Sequence, residues 1–275
     1  ISITVNPAPL TSPVVPATAT ICAGTVQNLT SAPVTVSNTA ILGTGTTAPG
    51  STSFPNPFSA WYGGTKHQIL FTAAELAAQG LVTGSQVTSV ALDVNAFVGS
   101  ACTNFTIRMG NTSNTALTGF VTGTSTVYGP TTYTPSATGI VTFTLTTPFT
   151  WNGTSNIVVE TVHNAGNGGN GSGTRTNTTT TTANTVFYGA SDNVAGGIAG
   201  FDALTSWTNT GASNLRPNIR FAYTSPLSPT WSPAGSLYTD AGGTTAYTGT
   251  ATSSIYAKPT TTTTYVATYT GSNGC

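Results

Sequence analysis

Charge is what this 275-residue sequence has least of. Asp, Glu, Lys and Arg together make up 4% of it, against roughly a quarter in an ordinary soluble protein. The six basic residues, Lys66, Arg108, Arg175, Arg216, Arg220 and Lys258, are scattered and balanced by six acids. No basic face exists to displace the counterions of a nucleic acid, so that partner class is excluded. No apolar run reaches the roughly 18 residues of a membrane span, so no membrane insertion is expected. No leader with a basic flank is visible, and the chain reads as a mature product or an excerpt of a longer one. Cysteine is scarce and odd in number: Cys22, Cys102 and Cys275 cannot all pair within one chain. Cys102, in 101-ACTNFTIRMG-110, reads as a small buried apolar residue.

Catalytic material is short as well. No Ser nucleophile motif, P-loop or zinc spacing occurs. The acids are Glu75, Asp93, Glu160, Asp192, Asp202 and Asp240, and the histidines are His67 and His163. Glu160 and His163 stand three apart on one expected strand and therefore on opposite faces. The expectation is a protein that is not an enzyme and has no cofactor.

What the sequence does have is threonine, about a fifth of its residues, with Gly, Ser and Asn supplying much of the rest. Thr, Val, Tyr and Phe suit a pleated, half-buried surface, and Gly, Asn and Pro punctuate it. Long helix-period stretches are missing, so the fold class is all-β. The opening 1-ISITVN-6 alternates Ile1, Ile3 and Val5 with polar residues, the mark of a half-buried strand. A second strand pair is expected around Cys22 in 18-TATICAGTVQNLT-30. From about Val34 to Tyr223 the chain is richer in Phe. Strands are expected at 87-VTSVALDVNAF-97, 104-NFTIRMG-110, 140-IVTFTLT-146, 156-NIVVETVHN-164, 185-TVFYGA-190 and 218-NIRFAYT-224, a spacing that fits a jelly-roll-like β-sandwich. One helix is expected at 72-TAAELAAQG-80, where Thr72 and Glu75 make a capping box and Gly80 can take the left-handed end position. The stretch 164-NAGNGGNGSGTRTNTTTTTAN-184 is so polar that a long exposed loop is expected. After Ser225 the opening texture returns, with a last strand over Thr264 to Thr270 and an Asn273-Gly274 turn.

The segments 20-TICAGTVQNLT-30, 230-TWSPAG-235, 259-PTTTTTYVATYT-270 and 273-NGC-275 resemble the Ig-like repeats of very large cell-surface adhesin and fibre proteins of Bacteroidota, exported by the type IX system. In that family a T-x-T-x-T strand follows the N-G-C turn and ends in V-N-P, and 1-ISITVN-6 is similar to that strand. The insert resembles a module common in these proteins through 68-QILFTAAELAAQG-80, 149-FTWNGTSNIVVE-160 and 216-RPNIRF-221. The resemblance implies an extracellular, cell-surface location. It also implies an Ig-like β-sandwich interrupted by an inserted jelly-roll-like sandwich with one short helix. The expected division is residues 1–6 as a strand completing the Ig-like domain of a neighbouring copy, 7–34 with 225–275 as that domain, and 35–224 as the insert. Cys22 … Trp231 … Cys275 is the order of Ig-like sandwiches in which a Trp packs on an inter-sheet disulfide. A Cys22–Cys275 bridge would stabilise by about 4–5 kcal/mol in the chain-entropy model.

The partners so implied are copies of the chain itself, head to tail, either as tandem repeats of one polypeptide or as subunits that donate residues 1–6. The alternative is a carbohydrate-binding module on such a fibre. Its stacking candidates are Trp61, Tyr62 and Trp207, since aromatic faces receive pyranose rings while Asn and Asp fix hydroxyls. Trp151, ahead of a strand, reads as structural. Calcium candidates are Asp192 and Asp202, in 191-SDNVAGG-197 and 201-FD-202, where turn chemistry explains the same residues. The Thr runs 178–182 and 260–264 are consecutive rather than alternating, so a flat ice-binding lattice is not expected.

Overall fold

A computed structural model describes residues 13–164 and 173–270. Ile1, Ile3, Val5 and Cys275 therefore lie outside the described residues. Among the described residues nineteen strands, β1–β19 in chain order, stand against two six-residue α-helices, α1 and α2, and one 3-10 turn. The chain is all-β. It divides into two compact units: residues 37–225, and the flanking segments up to Val36 and from Pro226 onward.

The smaller unit contains β1 (Val14–Val15), β2 (Gln27–Ser31), β18 (Ser254–Ala257) and β17 (Leu237–Tyr238), paired in that order as one antiparallel sheet. The other sheet has two described strands, β16 (Thr230–Ser232) and β19 (Val266–Thr268). Leu29, Trp231, Leu237, Tyr247, Ile255 and Ala267 fill the space between. Trp231 is buried, and its indole N–H donates to the Thr252 carbonyl at 2.7 Å, so the polar end of the ring is satisfied. The strand expected around Cys22 is absent. Residues 22–25 form a turn in which the Thr25 N–H and hydroxyl both donate to the Cys22 carbonyl, and regular pairing starts only at Gln27. Cys22 carries an exposed free thiol, and no disulfide occurs among the described residues.

The larger unit is two sheets around one core. The first sheet runs β3 (Val34–Leu42), β15 (Ile219–Leu227), β5 (Gln86–Ala96), β8 (Gly139–Thr150), with β10 (Arg175–Thr176) on the far end of β5. The second has six strands in the order β13 (Asn209–Ser213), β12 (Val186–Ser191), β4 (Gly64–Phe71), β9 (Asn156–Asn164), β6 (Cys102–Thr112), β7 (Ser125–Tyr133). A short pair, β11 (Thr178–Thr180) with β14 (Leu215–Pro217), completes the unit. Val90, Leu92, Phe143 and Phe221 from one sheet interlock with Ile69, Phe71, Phe105 and Val159 from the other. Cys102 is in that core, and burial pushes its thiol up to about 12, which keeps it protonated.

Thr72 and Glu75 form the capping box that their spacing predicts for α1 (Ala73–Ala78), and Gly80 follows it at φ +87°. Glu75 also takes a two-pronged hydrogen bond from the buried Arg216. The expectation of an exposed loop over 164–184 is corrected between Gly173 and Thr180, while Thr182, Ala183 and Asn184 are exposed as expected. Thr174, Thr176 and Thr178 are buried, and β10 and β11 are paired. The reason is period two: 174-TRTNT-178 turns its threonines inward and Arg175 and Asn177 outward, and a high Thr and Asn content concealed that alternation.

Burial patterns within the larger unit place the site. β8 alternates inward and outward residues in the way of a strand with one face in water. β4 and β9 are buried on both faces along their whole described middles. Something therefore covers the outside of the six-stranded sheet. The cover is the segment around Leu117, Phe120 and Val121 together with the one that holds α2 (Gly197–Asp202) and Trp207.

Candidate functional site

Alternation on β4 sends Thr65, His67, Ile69 and Phe71 to the core, and Lys66, Gln68 and Leu70 outward. In register, Glu160 of β9 stands opposite Gln68 on one side and Arg108 of β6 on the other. At the upper end of this outer face, Leu70 and Val158 are covered by Leu117, with Val121 and Phe187 packed against them. At the lower end the face is ionic. Lys66 Nζ lies 2.9 Å from Asp202 Oδ1 and 3.5 Å from Glu160 Oε2. Arg108 donates to Glu160 Oε1 at 2.9 Å and grips both oxygens of Asp202 at 2.8 Å. Gln68 Nε2 donates to Glu160 Oε2 at 2.6 Å, while the Gln68 amide exchanges two bonds with the Val121 backbone.

Two of the six bases and two of the six acids of a nearly uncharged chain thus gather at one place, and their charges cancel. The Glu160 side chain is only 1% exposed, and Phe120 lies 5.1 Å from Lys66 Nζ. An isolated carboxylate at that depth would be costly, and only the surrounding donors make it tolerable. Burial pushes the Asp202 carboxyl up, but hydrogen bonds from Arg108 and Lys66 outweigh it and hold the group below its ordinary range. Asp202 is thereby engaged by two cations. Asp192, the other calcium candidate, accepts the Gly63 N–H at 2.6 Å. Among the described residues no three His, Cys, Asp or Glu side chains are placed to hold a metal.

Beside the ionic cluster is an open cavity of about 620 Å3 whose lining includes Asp192, Asn193, Ser206 and Trp207. Trp207 lies flat on Gly189 of β12, where a methyl group would overlap its ring, and Phe120 and Phe201 flank it at 5.2 and 5.9 Å. Chemically, this offers an aromatic surface next to a carboxylate and an amide. The other stacking candidates are elsewhere. Trp61 is exposed, and Tyr62 belongs to an aromatic group with Phe54 and Tyr188 on the opposite face of β12 from Trp207. The structure brings Trp207 and Asp192 together, and does not bring the three aromatics to one platform. Trp151 is buried in the core, with its N–H bonded to the Ser155 carbonyl.

On the inner face of the same strands sit both histidines, His67 opposite Thr161 and His163 opposite Thr65. His67 Nε2 accepts the Asn56 N–H at 3.1 Å, so its proton is on Nδ1. That Nδ1, Asn56 Oδ1 and Thr161 Oγ1 have no partner among the described residues. Burial, assisted by His163, takes His67 down to about 3. Burial takes His163 down to about 4, with the Ser59 backbone pulling partly back. Both rings are neutral at pH 7. Glu160 points outward and His163 inward, as their spacing predicts, so they form no acid–base pair.

The second site belongs to the smaller unit. Among the described residues β19 is paired with β16 and with no other strand, and Val266 on it is 51% exposed. Near the start of β19 opens a groove of about 730 Å3, lined by Val14, Pro16, Ile21, Leu29, Pro259 and Tyr265 among others.

Sequence reasoning named Trp207, Asp192 and Asp202 but missed Lys66, Gln68, Arg108 and Glu160 as a group. A partial signal was present: Glu160 stands in the middle of the otherwise largely apolar strand 156-NIVVETVHN-164, and a buried charge requires a partner, though the sequence does not say which. Compared with protein-family models, curated proteins and solved structures, the chain has no match in any of the three.

Proposed function

We propose that this chain is a non-enzymatic structural module of an extracellular cell-surface filament or adhesin, joined head to tail to further copies of itself by strand complementation. The observation that supports it is the asymmetry of the smaller unit. A four-stranded sheet faces a two-stranded one whose β19 edge has no described neighbour, and a groove lined by both apolar residues and threonines opens near the start of that strand. An open edge is a template for another strand. The occupant is residues 1–6 of another copy, where Ile1, Ile3 and Val5 give one apolar face and the backbone supplies the ladder. A heterologous contact of this kind propagates an open filament rather than a closed dimer.

The test uses the full chain lacking residues 1–6 and a synthetic ISITVN peptide. The peptide should bind saturably and fail to bind with Ile3 replaced by Asp. Truncated chains that ignore the peptide, or that associate as intact ones do, would refute strand donation. Intact mass of native material distinguishes the two arrangements: a species near 27.7 kDa means subunits, and a large multiple means tandem repeats.

A second reading, a glycan-binding module on the same fibre, is favoured by one observation: Trp207 and Asp192 line the same cavity. A glycan array with the full chain tests it. Binding should be lost in both Trp207→Ala and Asp192→Asn, and binding that survives both substitutions would end it.

A further inference from the structure

Salt bridges explain why four charges meet at the outer face of the six-stranded sheet, but not why a lysine, an aspartate and a buried glutamate converge on one nitrogen. We propose that Lys66 and Asp202 condense to an intramolecular amide, with Glu160 as the proton carrier and Arg108 supporting the carboxyl group. The reacting groups are already hydrogen-bonded, since Lys66 Nζ is 2.9 Å from Asp202 Oδ1, an oxygen carried by the carbon it would attack. Glu160 Oε2 stands 3.5 Å from the same nitrogen. It is held there by Gln68 on that oxygen and by Arg108 on the other. Phe120 lies over Lys66, and the side chains of Lys66 and Glu160 are 11% and 1% exposed, so water is scarce around these two, while Asp202, 35% exposed, lets the released water leave.

The step balances without any outside reagent. The ammonium passes one proton to Asp202 along their hydrogen bond, giving an amine and a carboxylic acid. Nζ attacks Cγ and forms the C–N bond. The proton now in excess on nitrogen moves to Glu160, which delivers it to the departing hydroxyl. The C–O bond breaks, water leaves, and Glu160 ends as it began. The ammonium hands its proton to Oδ1, which departs, and the guanidinium donor on Oδ2 lies where the tetrahedral oxyanion forms. Holding amine and acid in place replaces an intermolecular condensation by an intramolecular one, for which effective molarities of about 10⁵–10⁸ M are attainable.

Charge accounting favours the product too. Condensation removes one cation and one anion, and the remaining Arg108–Glu160 pair at 2.9 Å is still balanced. No buried charge is orphaned. Arg108 also keeps Asp202 ionised at rest, which makes the reaction slow. It suits a maturation event completed once per molecule and not a turnover. The product would pin the end of α2 to the first half of β4.

Intact-mass measurement of the full chain under denaturing conditions decides the matter. The mass should be lower than that of the sequence by one water, and fragmentation should yield a branched peptide joining Lys66 to Asp202. Glu160→Gln, which keeps the shape but cannot carry the proton, should return the full mass. Wild-type protein at full mass overturns the proposal whatever any variant does. So does a lost water that maps to other residues or persists in Glu160→Gln.

Discussion

The two histidines allow a stability change to be calculated from position alone. Each is buried in the core of the larger unit with a proton affinity far below the ordinary value of 6.5, at about 3 for His67 and about 4 for His163. In the unfolded chain both regain the ordinary value. Below pH 6.5 the unfolded state therefore binds protons that the folded state refuses, and stability must fall as pH falls. The stability is complete above 6.5 and is lost progressively toward the folded values. One pH unit is worth about 1.4 kcal/mol per group. At pH 5 each histidine has removed about 2 kcal/mol, and the pair about 4, a large share of the roughly 5–15 kcal/mol of a typical domain. Asp202 and Glu75 are held below their ordinary carboxylate range, so the stability they contribute is lost only as pH falls below that range. The assay is urea unfolding at a series of pH values from neutral to acid, together with NMR of the ring protons. A slope near two protons is expected, falling to one in His163→Gln. Stability that stays flat from pH 7 to pH 5, or a ring that titrates near 6.5 in the folded protein, would refute the placement of these side chains.

Three other substitutions follow from single contacts. Gly189→Ala puts a methyl into the Trp207 ring, so it should cost about 1–3 kcal/mol and redshift tryptophan emission; unchanged emission would count against the stacked ring. Arg216→Met removes the fork on Glu75 and the bond to the Leu70 carbonyl. Because the Glu75 side chain is 36% exposed, the loss by chemical denaturation should be about 2 kcal/mol, below that of a wholly buried pair. Trp231→Phe leaves the Thr252 carbonyl without its donor and should destabilise the smaller unit by about 1–3 kcal/mol, read as an earlier unfolding transition for that unit.

Fold class was legible because it rests on composition and alternation, which neighbours in sequence report directly. So was the cap of α1, since Thr72 and Glu75 touch each other. The buried run 174-TRTNT-178 was not legible from polarity, because threonine serves equally as a loop residue and as an inward strand residue. Only its partners on β5 and β14 decide between them. The ionic cluster failed to show for a different reason. Lys66, Arg108, Glu160 and Asp202 come from four elements spread over most of the larger unit, and nothing local links them. Trp207 could be named as an aromatic near a turn. That its ring would lie on Gly189 depended on β12 being roofed on its outer side, which no period-two pattern announces.

The scarcity of charge takes on a sharper meaning once the partners of the acids are known. Glu75, Glu160 and Asp202 are in ion pairs. Asp93 accepts from Asn177, Asp192 from Gly63, and Asp240 from Thr244 and Thr245. All six acids are thus committed inside their own unit, and Lys66, Arg108 and Arg216 are spent on three of them. Arg175, Arg220 and Lys258 are too few to steer a partner over distance. Any association of this surface must then rest on backbone ladders, hydroxyls and apolar burial. Such contacts are largely indifferent to ionic strength between about 0.01 and 1 M, over which the screening length shrinks from about 30 to about 3 Å. A chain built this way keeps its affinity where salt varies and gives up electrostatic acceleration of encounter. That exchange is what the proposed head-to-tail fibre would call for, since there the search would be short and the bond would have to last.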